Sequence, residues 1–208
     1  MEKIVLLNTE SHKKILFVFG TRPEAIKMAP LIKTMQKCKK FKVKICVTGQ
    51  HKEMLYQVLD FFKIKPDYDL EIMEPNQTLF TVTSKIITLI EPILSREKPD
   101  LVIVQGDTTT VFMGALGAFY KQIPVAHLEA GLRTGDKYSP FPEEINRELV
   151  SKIADFHFAP TELSVDNLSK EGILKNVYNV GNTVIDALLL AKEIVNTNEQ
   201  KYLAEFKN

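Results

Sequence analysis

The chain has 208 residues, 45% of them apolar, with 27 Lys+Arg against 26 Asp+Glu for a formal charge of +1. That length suits one domain with a sizeable buried core, and the balanced charge excludes a global field directed at nucleic acid or a membrane surface. Two cysteines without a CxxC pair and four scattered histidines argue against a disulfide framework and a metal centre.

Along the chain, short β-rich runs alternate with longer helical patterns. Residues 1–13 read as an N-terminal extension, too short and too soon polar for a secretion signal. "KILFVFG" (14–20) predicts a buried strand and Pro23–Cys38 a helix. The basic run "KTMQKCKKFKVK" (33–44) reads as a solvated helix end entering the next strand, "VKICVTG" (43–49). A helix over 51–62 and a weaker strand at 68–73 follow, then an amphipathic helix over 78–98 that Pro92 is expected to kink.

The second half continues with strand 100–106, helix 109–120, strand 124–130, helix 143–155, strand 156–160, helix 162–171, strand 177–181 and a helix from Thr183. Strands apolar at nearly every position, separated by helices, imply a parallel sheet covered on both faces, a doubly wound α/β layer. No apolar run approaches the ~18 residues of a membrane span. With the unpaired cysteines, this points to a cytoplasmic protein.

In such sheets ligands sit beyond the carboxyl ends of the strands. Three of those ends carry chemistry. In "FGTRPEAIK" (19–27), Gly20 permits a tight turn and Pro23 suits the first helical turn, so Arg22 and Lys27 stand near a helix N-terminus, a natural anion site. The alternative is an ordinary turn with two solvated cations. The turn lacks a G-x-G-x-x-G fingerprint, which disfavours a nicotinamide cofactor.

"VQGDTTT" (104–110) ends an apolar strand in Asp107, which is a helix cap or a catalytic acid. "HLEAGLRTGDKYSPFPEEINRELV" (127–150) places Glu129 at a strand end and Glu143 and Glu144 in the first turn of a helix. Arg147 can pair with one of those two within the helix. If Asp107, Glu129 and Glu143 converge, repulsion and desolvation split their pKa values, as proton transfer requires. Arg22, Lys27 and Arg133 could then hold a phosphorylated substrate against the acidic floor.

Six segments, "GTRPEAIKMAPLI", "TGQHKEML", "QGDTTT", "HLEAGLRTGD", "PFPEEINR" and "VGNTVIDAL", closely resemble the non-hydrolysing UDP-N-acetylglucosamine 2-epimerases in order and spacing, across about residues 15–190. The resemblance implies two Rossmann-like domains facing a cleft, the glycosyltransferase-B arrangement, with residues 14–190 as the N-terminal one and 191–208 as a connector. It implies no cofactor and no metal, a cytoplasmic homodimer, and UDP-GlcNAc and UDP as ligands. The implied reaction is epimerisation to UDP-ManNAc by anti elimination of UDP and its re-addition, in the service of cell-envelope polysaccharide.

By the same resemblance Asp107, Glu129 and Glu143 are catalytic, Arg22 and Lys27 contact substrate, and Gln50 and His51 match a regulatory UDP-GlcNAc site. The resemblance does not assign which carboxylate takes the C2 proton. Asn76 stands where some members have an arginine, against the regulatory assignment. The family's second domain, with its T-x-H-R-R-E-N motif and nucleotide pocket, has no counterpart here, so the expectation is an N-terminal half inactive in isolation. A truncated product explains this most simply, a separately encoded partner half less so. Other readings are a non-catalytic sugar-nucleotide-binding or dimerisation module and a hydrolysing epimerase.

Overall fold

The computed structural model describes residues 12–49 and 52–197. Its centre is a seven-stranded parallel sheet in the order β3-β2-β1-β4-β5-β6-β7. The strands are β1 (Lys13–Phe19), β2 (Phe41–Val47), β3 (Tyr68–Asp69), β4 (Leu101–Gln105), β5 (Val125–Leu128), β6 (Phe156–Ala159) and β7 (Val177–Asn179). The helices are α1 (Arg22–Lys37), α2 (Lys52–Phe61), α3 (Leu79–Glu97), α4 (Thr109–Tyr120), α5 (Glu143–Ile153), α6 (Glu162–Lys170) and α7 (Val184–Thr197).

Alternation along the strands explains both layers. In β1, Ile15, Phe17 and Phe19 point to one face and pack with Met28 and Ile32 of α1, Leu55 and Leu59 of α2, and Ala187 of α7. Leu16 and Val18 point to the other, against Ile90 and Leu94 of α3, Val111 and Ala115 of α4, and Val150 of α5. A strand buried on both faces has no polar side, which is why these runs read as continuously apolar.

Most expected elements stand within a residue or two of their sequence positions, and the departures have local causes. The β3 strand stops after two residues because Glu71 turns left-handed (φ 45°), its N–H donating to the Asp69 carboxylate. β5 ends at Leu128 because Glu129 is itself left-handed (φ 63°). The α3 helix spans Leu79–Glu97 with Pro92 inside it, within a residue of its expected bounds at each end. Of the expected N-terminal extension, residues 1–11 lie outside the described residues, and Lys13 already belongs to β1. Of the expected connector, Ala191 and Ile194 lie on α7 and pack against the core, while 198–208 lie outside the described residues.

The chain reverses its direction of winding between β1 and β4, and this opens a crevice at their carboxyl ends. The turn after β1 is tight there. A Cβ on Gly20 would lie well inside van der Waals contact of the Thr48 and Thr110 hydroxyls, which face each other at 2.9 Å across the crevice floor. Gly20→Ala should therefore lower the urea midpoint by an amount equivalent to about 1–3 kcal/mol, the usual overpacking cost. An unchanged midpoint would mean that the floor yields.

Candidate active site

Parallel strands deliver their C-terminal residues to one edge, and that edge is where the ionisable side chains collect. Lys27, one turn into α1, places its Nζ 2.6 Å from both carboxylate oxygens of Glu129 at the end of β5. The amide of Gln105, the last residue of β4 and 2% exposed, donates to the same carboxylate. Asn182 reaches Glu129 from beyond β7 at 3.4 Å. A left-handed non-glycine residue is a strained conformation, and here three partners hold it with its carboxylate in the crevice.

Asp107 follows β4. Its carboxylate accepts from the Arg147 guanidinium at 2.6 Å, and its backbone carbonyl accepts from the Asn146 amide at 2.9 Å, both partners belonging to α5. Burial raises its pKa above the ordinary carboxylate value. The Arg147 charge and hydrogen bond oppose this, and nearby Glu143 and Glu129 reinforce it. The three acids thus share one electrostatic environment. A Cβ on Gly106, between Gln105 and Asp107, would stand 3.9 Å from Glu129 Oε2, which shows how closely the β4 turn approaches that carboxylate.

The two adjacent acids at the start of α5 part company. Glu144 is fully buried; its Oε1 accepts the Thr134 and Gly135 N–H groups at 2.8 and 2.9 Å, and its Oε2 lies 3.2 Å from Arg147. Burial opposes its ionisation, but those N–H groups and the Arg147 guanidinium prevail and hold its pKa below the ordinary value. Glu144 is thus the partner of Arg147 within the helix. Glu143 is half-buried and, among the described residues, has no ion pair or side-chain hydrogen bond.

Two of the expected cations already have carboxylate partners. Arg133 does not face the acids. Its guanidinium forks onto Glu171 at 2.6 and 2.9 Å, reaches Ser151 at 3.0 Å, and clamps the β5–α5 loop to the end of α6. A side chain 9% exposed and already bidentate has no fork left for a phosphate. Lys27 is in the crevice, but as the counter-ion of Glu129. Arg22 is exposed, at the mouth of an apolar groove of about 460 Å³ between α1, α2 and α7. Gln50 and His51 lie outside the described residues.

Sequence reasoning missed four contributors: Glu24, Gln105, Asn146 and His127. Glu24 carried a readable signal, since Thr21-x-x-Glu24 before a helix is a capping box. The other three carried none, because their partners lie 21 to 39 residues away.

His127, fully buried in β5, has its Nε2 2.7 Å from the Gly106 carbonyl oxygen, so Nε2 carries the proton of a neutral ring. Burial drops its pKa from 6.5 to about 4, with the Gly106 contact opposing and His157, Arg133 and Arg147 adding to the fall. Among the described residues no group of three or more His, Cys, Asp or Glu is placed to hold a metal ion, and no helix is long and apolar enough to cross a membrane.

The carboxyl edge of the sheet thus gathers acids in graded environments, beside cations, at the reversal point of a doubly wound fold. The profile of the family described as UDP-N-acetylglucosamine 2-epimerase matches residues 33–208, and the chain belongs to that family.

The UDP-N-acetylglucosamine 2-epimerase of Salmonella typhimurium is 55% identical over 195 residues, 92% of this chain and 52% of the relative. The crystal structure of the Neisseria meningitidis UDP-GlcNAc 2-epimerase bound to UDP-GlcNAc superposes with a TM-score of 0.87 at 54% identity, covering 92% of this chain and 52% of that one. The Methanocaldococcus jannaschii enzyme in complex with UDP-GlcNAc and UDP gives 0.83 at 42% identity, covering 90% and 51%. The chain spans about half the length of the relatives it matches.

Because the unfolded His127 imidazole titrates near 6.5 and the folded one near 4, the unfolded chain binds the extra proton between those values, and stability falls as pH drops through that window. The expected loss from this ring is about 2 kcal/mol at pH 5 relative to pH 7. In His127→Gln, whose amide can still donate to Gly106, urea unfolding should show a correspondingly smaller pH dependence. Equal dependence in the two proteins would refute the assignment.

Proposed function

We propose that this chain forms the N-terminal wall of the active-site cleft of a non-hydrolysing UDP-GlcNAc 2-epimerase, facing a second Rossmann-like domain in the glycosyltransferase-B manner. What supports the reading is that Asp107 and Glu129 follow β4 and β5 at the carboxyl edge and Glu143 opens α5, with Glu143 and Glu129 near enough to raise the Asp107 pKa. Three acids approaching from three elements can serve both faces of one hexose ring, which inversion at C2 demands.

In this reading the C2 proton passes to one carboxylate while the C1–O bond to UDP breaks, leaving a 2-acetamidoglucal and UDP. A second group returns a proton to the opposite face of C2, and the UDP oxygen re-forms its bond at C1. Atoms and charge balance without a cofactor. Asp107, with its raised pKa, is suited to hold a proton. Glu129 is kept in place by Lys27 and Gln105, so it does not have to reorganise as charge moves. Arg22, exposed at the start of α1, is the candidate cation for the departing diphosphate, and Gln50 and His51 remain the candidates for a regulatory site.

Tested in the full-length protein, Asp107→Asn and Glu143→Gln should each lower kcat by about 10²–10⁴-fold, read by NMR of the UDP-GlcNAc to UDP-ManNAc interconversion. Turnover in D₂O should put deuterium at C2. An Asp107→Asn enzyme working at the parent rate, or epimerisation without C2 exchange, would sink the mechanism.

The protein is further proposed to be a cytoplasmic homodimer serving polysaccharide synthesis. Its two cysteines are free, as a reducing compartment keeps them. Phe80, Leu89, Phe119 and Tyr120 are exposed on α3 and α4, which pack together and share a recess of about 340 Å³. Phe119→Glu should convert the dimer to a monomer in light scattering; an unchanged mass would place the interface elsewhere.

A further inference from the structure

Glu24 is 3% exposed and sits at the third position of α1, below the crevice rather than in it. A capping-box glutamate ordinarily returns to the N–H at its own helix start. This one does more. Its Oε2 accepts from both the Gly20 and Thr21 N–H groups, at 2.5 and 3.0 Å. Its Oε1 accepts from the Thr108 hydroxyl at 2.6 Å, a contact spanning 84 residues of chain.

Thr108 follows Asp107 directly and is the N-cap of α4, where its hydroxyl also accepts from the Val111 N–H. One buried carboxylate therefore joins the turns after β1 and β4, the two strands between which the sheet reverses. From the opposite side α5 holds Asp107 through Asn146 and Arg147.

Glu24 also takes the N–H groups that a dinucleotide-binding turn would offer to phosphate. Those two N–H groups at the start of α1 are occupied by the chain's own carboxylate and are not open to a substrate phosphate. We propose that Glu24 is a positioning residue, which locks the β1–α1 turn to the β4–α4 turn and thereby fixes where Asp107 stands. Its kinetic consequence rests on the epimerase reading; its structural consequence does not.

The geometry has an energetic counterpart. Burial raises the Glu24 pKa, while its bonds from Gly20, Thr108 and Thr21 pull it down and the nearby Asp107 raises it further. Truncating the side chain leaves two buried N–H groups without an acceptor, and the two turns are then free to separate.

The test compares Glu24→Ala with Glu24→Gln. Gln can accept the two N–H groups through Oε1 and donate to Thr108 through Nε2, so it preserves the tie without the charge. In the full-length enzyme Glu24→Ala should lower kcat by about 10²-fold, the scale of an ångström-sized misplacement, with KM changed by less than about twofold. Glu24→Gln should recover most of the lost kcat. A folded Glu24→Ala enzyme with the parent kcat overturns the proposal, and so does an equal loss in both variants, which would implicate the charge.

Crystal structures of this chain supply an arm that needs no activity. In Glu24→Ala the Asp107 carboxylate should move by more than about 0.5 Å while the sheet stays fixed, and in Glu24→Gln it should not. An Asp107 that stays in place in Glu24→Ala overturns the proposal even if the epimerase reading fails. If Glu24→Ala does not fold, Glu24→Asp, one methylene too short to bridge both turns, replaces it in each comparison.

Discussion

Glu24, Asp107, Glu129, Glu143 and Glu144 gather around the carboxyl ends of β1, β4 and β5, and an ionised carboxylate withdrawn from water must find partners. Each solution fixes a piece of the site. Glu24 takes two backbone N–H groups and a hydroxyl, Glu144 two N–H groups and an arginine, Glu129 a lysine and an amide, and Asp107 the other side of the same arginine. Glu143, half-buried, is the acid without such a partner among the described residues.

Arg147 ties two of these acids together. It lies between fully buried Glu144 and partly buried Asp107, so one cation serves two anions of different exposure. Removing it would strand an uncompensated charge in the interior at Glu144, a loss of the several-kcal/mol kind, whereas Asp107 could still recover some solvation. Its partner acids belong to the β4 turn and α5, so the same contact joins two elements that arrive from separate crossovers. The geometry of the crevice and the stability of the fold are therefore coupled here through one side chain.

The candidate site was partly legible in the residues. Asp107 and Glu129 stood out because each ends an apolar run, where a lone acid has no packing reason to be. Glu143 and Glu144 could not be told apart, since both suit the first turn of a helix; the Thr134 and Gly135 N–H groups that claim Glu144 come from a loop nine or ten residues earlier. Arg133 resembled a phosphate ligand because it follows the acid motif, but Glu171, 38 residues further on, takes both arms of its fork. Lys27, read as a substrate contact near a helix N-terminus, has a carboxylate partner that no local pattern could announce, since Glu129 lies 102 residues away.

The doubly wound α/β architecture was contained in the sequence itself. Strands apolar on both faces, helices at regular intervals and turn residues at their junctions are short-range patterns, and the right-handed crossover rule converts them into one topology. Family membership was likewise contained in six motifs. What only the folded chain decided was which charges face each other, because a parallel sheet brings together residues from strand ends tens of residues apart, and the partner of a charge depends on that register and not on its neighbours in sequence. The clasp of Glu24 on Thr108 and of Lys27 on Glu129 exists only once β1, β4 and β5 lie side by side.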